Sequence, residues 1–146
     1  MTPKSSGPQR KATLIAAALT LWAIAYSGLV WFSFSQSSPE ALRTLVETGV
    51  IKPAYADYIA AIPPWVRIVT VVLAGLRITG GIGLFWRQRW CVPVYRAALL
   101  LTAIIMIRGF VFADVASVIR PSQIGIEILF IVISIFAVLH AYRVTR

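Results

Sequence analysis

Four long apolar runs separated by short polar stretches set the pattern of this chain. Residues 12 to 34, 64 to 86, 97 to 119 and 122 to 142 are each about 20 residues or more, and a helix rising 1.5 Å per residue needs that length to cross about 30 Å of hydrocarbon. The pattern predicts an all-α, integral membrane four-helix bundle over residues 12 to 146, preceded by a disordered tail over residues 1 to 11 that is rich in Pro, Ser, Gln and basic residues. The links around residues 87 to 96 and 119 to 122 are short, which makes the last three spans antiparallel neighbours.

The one sizeable connection, residues 35 to 63, carries its own helical signals. Ser37 followed by Glu40 reads as a capping box with Pro39 in the first turn. Leu42, Leu45 and Val46 then share a face until Gly49 stops the helix, and after Pro53 the residues Tyr55, Tyr58, Ile59 and Ile62 repeat that spacing. Two short amphipathic helices are expected here, lying on the membrane surface or capping the bundle. Pro63-Pro64 redirects the chain into the second span.

Composition agrees: 59% of the 146 residues are hydrophobic and mean hydropathy is +0.82, against an apolar share of about 45–50% in soluble domains. The net charge of +9 gathers in clusters that flank the spans. Lys4, Arg10, Lys11, Arg87, Arg89, Arg96, Arg143 and Arg146 fall on one side without an acidic residue, and Arg43, Lys52, Arg67 and Arg120 fall on the other with Glu40, Glu47 and Asp57. The positive-inside rule then puts both termini in the cytoplasm, and the pattern calls for the lipid bilayer as partner rather than nucleic acid. Aromatic residues mark the interfaces: Trp31, Phe32 and Phe34 close the first span, and Trp65, Trp86 and Trp90 bracket the second. The first run is too long for a signal-peptide core and reads as a retained membrane helix. The single cysteine, Cys91, has no partner for a disulfide within the chain and falls at the cytoplasmic boundary.

Two sets of small residues recur at four-residue spacing, Gly75, Thr79 and Gly83 in the second span and Gly109, Ala113 and Ser117 in the third. Such ridges let helices approach closely in lipid, within one bundle or between protomers of a homo-oligomer or larger membrane complex.

The candidate site is charge inside the membrane. Counting from the outer boundary puts Arg77 and Arg108 about 16–18 Å deep and Asp114 and Glu127 about 7–9 Å deep, a difference an extended arginine can bridge. An ionised side chain there costs about 2.5–3.5 kcal/mol, so a buried cluster of Arg77, Arg108, Asp114 and Glu127 is expected, with Arg77 pairing to Asp114 or Glu127. Other chemistry is sparse. His140 is the only histidine, and the sequence has no cysteine pair, phosphate loop or Ser-His-Asp set, so no cofactor, metal or catalytic residue is expected.

The segment from Pro64-Trp65-Val66 through Gly80-Gly81-Ile82-Gly83-Leu84-Phe85-Trp86-Arg87-Gln88-Arg89-Trp90-Cys91-Val92-Pro93 resembles a family of small, uncharacterised four-helix bacterial inner-membrane proteins. It is also loosely similar to DoxX-like membrane proteins in its Gly-rich second span, basic turn and apolar third span. The resemblance covers about half the chain; it implies a bacterial inner-membrane location and a four-helix fold, and carries over no catalytic residue. Small four-helix multidrug exporters depend on a glutamate in the first span, and residues 12 to 34 here hold no charge. The expected role is a non-catalytic accessory or interaction subunit. Two alternatives stand beside it: a small proton-coupled transporter using Glu127 and Asp114, and a lipid or quinone binding module.

Overall fold

A computed structural model describes residues 7–119 and 121–146, with the side chains of Pro8 and Gln123 outside the description. Seven α-helices and one π-helical segment make up the described chain: α1 (Gly7–Ser35), α2 (Pro39–Glu47), α3 (Pro53–Ala60), α4 (Pro64–Phe85), α5 (Cys91–Ile107), a π-helical turn (Arg108–Phe112), α6 (Val115–Val118) and α7 (Pro121–Val144). Four helices are long and apolar enough to cross a membrane, and no strand occurs among the described residues. The chain is a multi-pass membrane helical bundle, with its large apolar side chains, such as Leu21, Ile68, Leu100 and Leu129, turned outward as lipid requires.

Helix ends follow the local chemistry. Pro63 and Pro64 set the start of α4, since proline fits the first helical turn, where its missing N–H is not needed. The N-cap of α2 is Ser38, whose side chain accepts from the Ala41 N–H at 3.2 Å; the Ser37 capping box expected from the sequence is displaced by one residue, and Ser37 Oγ instead donates to the Phe34 carbonyl at 2.7 Å. Gly49, at φ 71°, stops α2 as expected. The Gly49 N–H reaches the Val46 carbonyl and the Val50 N–H the Leu45 carbonyl, both at 3.0 Å, which is the Schellman pattern.

The same motif closes α4, with Arg87 at φ 54° in the glycine position and the Gln88 N–H on the Gly83 carbonyl at 2.8 Å. A left-handed non-glycine residue costs about 1–2 kcal/mol. Arg87→Gly is therefore expected to raise stability by about 0.5–1 kcal/mol after the extra freedom of the unfolded glycine is subtracted, seen as a higher midpoint in thermal unfolding in detergent.

Three boundaries differ from the sequence reading. Gly7–Lys11 belong to α1 rather than to a disordered tail, because proline is tolerated in the first helical turn and Gln9, Arg10 and Lys11 are good helix formers; residues 1–6 lie outside the described residues. The link after α4 is only Trp86–Trp90, and span three runs from Cys91 to Phe112 instead of 97 to 119. Pro93 sits in the first turn of α5, where it is tolerated, so the polar-looking Pro93–Arg96 stretch is helix. At the other end the chain leaves the helix through the π-turn and through Asp114 at φ 43°.

Packing runs α1 on α4, α4 on α5 and α5 on α7, while α2 and α3 pair and α3 covers α6 at the end of the bundle opposite both termini. The central span is α4, with 39% of its most apolar stretch buried against 17–22% in the others. The close approaches use Gly80, Gly81 and Gly83, which face the Tyr95 ring, Thr20 and the Trp90 ring. Gly75 and Thr79 face outward, so the Gly75–Thr79–Gly83 ridge is not the packing face within this bundle. Residues four apart drift by about 40° round a helix, and only its last member reaches the interior. Gly109 is buried beside Val115 and Tyr58, whereas Ser117 is exposed, because the π-turn and Asp114 break the register between them. Near the terminal end, Ala16, Leu19, Leu84, Cys91, Tyr95, Ala137 and Ala141 form the tightest core. Cys91, the first residue of α5, is fully buried there.

Candidate functional site: a buried arginine between four helices

The buried stripe of α4 reads Leu73, Ala74, Arg77, Gly80, Gly81, Leu84. Arg77 thus takes a core position in a helix that touches both neighbours, and it lies about 20 Å from the start of α4, near the middle of the bilayer. It is 3% exposed. The guanidinium sits 4.8 Å from the Trp22 ring centre and 4.6 Å from that of Tyr26, both on α1. Trp22 and Tyr26 are one turn apart, so both rings fall on one face of α1. Phe130 of α7 packs on both rings, at 5.7 and 5.2 Å between centroids.

The polar contacts come from the other two spans. Arg77 Nη2 donates to Thr102 Oγ1 of α5 at 3.0 Å and to Ser134 Oγ of α7 at 3.3 Å. Each hydroxyl spends its own proton on the carbonyl one turn back, Thr102 on Ala98 at 2.8 Å and Ser134 on Phe130 at 2.7 Å. Their lone pairs are therefore turned to the arginine. A guanidinium has five N–H donors, and those on Nε and Nη1 complete no hydrogen bond among the described residues, although the Tyr26 phenol oxygen stands beside the group. Unmet buried donors are uncommon and mark a strained or ligand-binding place.

The four charges expected to cluster are only partly brought together. Glu127 is half-buried on α7, about two turns before Ser134, the residue that accepts from Arg77. Glu127 and Arg77 do not form an ion pair: among the described residues the one pair within 4.0 Å is Arg43–Glu47, which is exposed on α2. Asp114 is exposed at the left-handed bend before α6, and Arg108 is half-buried at the start of the π-turn; neither bonds to Arg77 or Glu127. The expected four-charge cluster is thus corrected to Arg77 with Glu127 nearby. Among the described residues no group of three His, Cys, Asp or Glu side chains could hold a metal.

Tyr55 and Tyr58 of α3 stack at 6.2 Å over the α2–α3 end. Burial raises the Tyr55 phenol above its ordinary 10.0, with smaller pushes from Tyr58 and from Glu127. The fold favours neutral Tyr55, so the stability this group contributes is complete below the ordinary value and is lost as pH rises through the raised one. Tyrosinate absorbance should lose one of its late-titrating phenols in Tyr55→Phe.

Trp22, Tyr26, Thr102, Phe130 and Ser134 were not singled out by the sequence reading. The available signal was depth: Trp22 and Tyr26 lie in mid-span, away from the interfacial belts where Trp and Tyr usually sit. Compared with protein families, characterised proteins and solved structures, the chain finds no match.

Proposed function

We propose that this chain is a non-catalytic binding module of the membrane, an accessory protein that holds the polar head of an amphiphile, a lipid or a quinone, at Arg77. The observation that carries this reading is the guanidinium itself, buried to 3% exposure with donors on Nε and Nη1 unmet. A structural arginine in lipid is expected to be paired with a carboxylate or backbone carbonyls, since that is what lowers its cost. Among the described residues only hydroxyls and aromatic faces meet it, which leaves donor capacity for a guest. The resemblance to small bacterial inner-membrane proteins and the clustering of basic residues at the end carrying both termini support a cytoplasmic placement of that end. Assembly with copies of itself or in a larger membrane complex fits the accessory role.

Lipid extraction and mass spectrometry of the purified protein tests this. Wild type should retain an amphiphile in near-stoichiometric amount that Arg77→Gln lacks; the same lipids in both proteins would refute the reading. A half-buried carboxylate inside the span, Glu127, supports one second reading, a proton-coupled carrier. It requires proton-driven uptake into vesicles that stops in Glu127→Gln, whereas the binding-module reading expects no such flux. Asp114, exposed and apart from Arg77, has no part in that second reading.

A further inference from the structure

The surroundings of Arg77 are not equal on all sides. Backbones come close along the α1–α4, α4–α5 and α5–α7 seams. Between α1 and α7 at this level the contact is made by rings, Trp22 and Tyr26 against Phe130. All three rings are half-buried, with Trp22 and Tyr26 covering the guanidinium and Phe130 packed on both. Aromatic side chains turn about two bonds without breaking a helix, and this seam is therefore the side on which the bilayer can reach the cation.

From this, which rests on the amphiphile reading above, we propose that Arg77 binds the head of a long-chain monocarboxylic acid entering sideways between α1 and α7. Three properties of the site select that class. A guest arriving from the side at mid-bilayer must dissolve in hydrocarbon, which excludes phosphate-headed lipids, whose charged heads stay at the interface. It must end in a strong acceptor, since what Arg77 offers is N–H donors on Nε and Nη1 and a positive charge. It must also leave the site electrically neutral. A carboxylic acid crosses hydrocarbon as the uncharged acid; on binding, its proton is given up to water and its carboxylate pairs with Arg77. The pair of Arg77⁺ and guest anion is neutral, so the unpaired cation gains its counter-ion and the released proton balances the step.

Trp22 supplies the readout. Of the five tryptophans, it alone lies in mid-span beside Arg77, the others standing at span ends. The full chain in phosphatidylcholine nanodiscs is titrated with dibromostearate, whose bromines quench nearby indoles. Saturable quenching is expected in wild type, absent in Trp22→Phe and at least tenfold weaker in apparent affinity in Arg77→Gln. Oleate should displace the probe, and oleyl alcohol and methyl oleate should not. This competition runs on wild type alone, so it decides even if Arg77→Gln does not fold. Equal competition by alcohol and acid, or no saturable phase, overturns the carboxylate proposal. If a neutral lipophile is displaced or retained in an Arg77-dependent manner while oleate is not, the amphiphile reading survives and the carboxylate assignment fails. If no lipophile depends on Arg77, both fail together.

Discussion

Gly81→Ala is expected to be among the most damaging single-methyl changes in the bundle. A Cβ built on Gly81 falls inside contact distance of Thr20 Oγ1 and 3.1 Å from Thr20 Cα. Thr20 is backbone of α1, and its hydroxyl is tied to the Ala16 carbonyl at 2.8 Å. Neither atom can step aside unless α1 moves away from α4. Overpacking of this kind costs about 1–3 kcal/mol, and in lipid no hydrophobic force compensates by pressing the helices together again. Gly83→Ala places its methyl 2.6 Å from Trp90, but there the obstacle is the far edge of a ring that is 42% exposed and can swing out, so the cost should stay below about 1 kcal/mol. Gly75→Ala meets nothing within 4 Å and should be neutral or slightly stabilising through helix propensity. Thermal unfolding in detergent should rank Gly81→Ala well below Gly83→Ala, and Gly75→Ala at or above wild type. Equal damage at Gly75 would mean that its face meets another helix outside this bundle.

That ranking also shows where the sequence was legible and where it was not. The number of spans and the start of α4 could be read, because apolar length and a helix-starting proline are local properties. The two cap helices could be read from Pro39, Gly49 and Pro53 for the same reason. Which face of α4 turns inward could not. In a bundle solvated by lipid, inner and outer positions are equally apolar, so Gly75 and Gly81 look alike until a neighbour is placed.

The start of span three was misjudged because Pro93 and Arg96 resemble a link. Moving it from residue 97 to Cys91 shifts the helix by about 9 Å, which carries Asp114 out to the exposed bend and removes it from the charge cluster. Arg77 was legible as a site because a charge in mid-span stands out against its surroundings. Its partners were not, since Thr102 and Ser134 are ordinary in membrane helices. The error over pairing has a simple geometric cause: Arg77 points sideways to Ser134 instead of reaching upward, and Ser134 lies about 10 Å deeper along α7 than Glu127.

Arg77→Met is expected to stabilise the ligand-free protein while abolishing what the site does. The sequence reading, with Arg77 paired to a carboxylate, implies the opposite for any removal of this side chain. In the structure no ion pair is lost. Thr102 and Ser134 keep their bonds to Ala98 and Phe130, so the hydroxyls are not orphaned. What disappears is two cation–π contacts, worth about 2 kcal/mol each when desolvated, and the two hydrogen bonds that Arg77 donates to Thr102 and Ser134, worth about 1.5–3 kcal/mol each for a charged donor. Against this stand the unmet donors on Nε and Nη1, at about 1–3 kcal/mol per buried group and more for a charged one, and the desolvation of the charge itself. Methionine fills much of the arginine stem's volume without donors, and exchanges of buried charge for apolar side chains are often neutral or stabilising by about 1–4 kcal/mol. Arg77→Ala would instead open a cavity at the centre of four helices and lose stability. In delipidated detergent, Arg77→Met should unfold at or above the wild-type temperature and Arg77→Ala below it; with saturating oleate present, wild type should rise and Arg77→Met should not move. A residue that costs the empty fold stability is kept for what it binds. If Arg77→Met melts well below wild type in the absence of any ligand, the arginine is a structural staple and the binding-site reading is wrong.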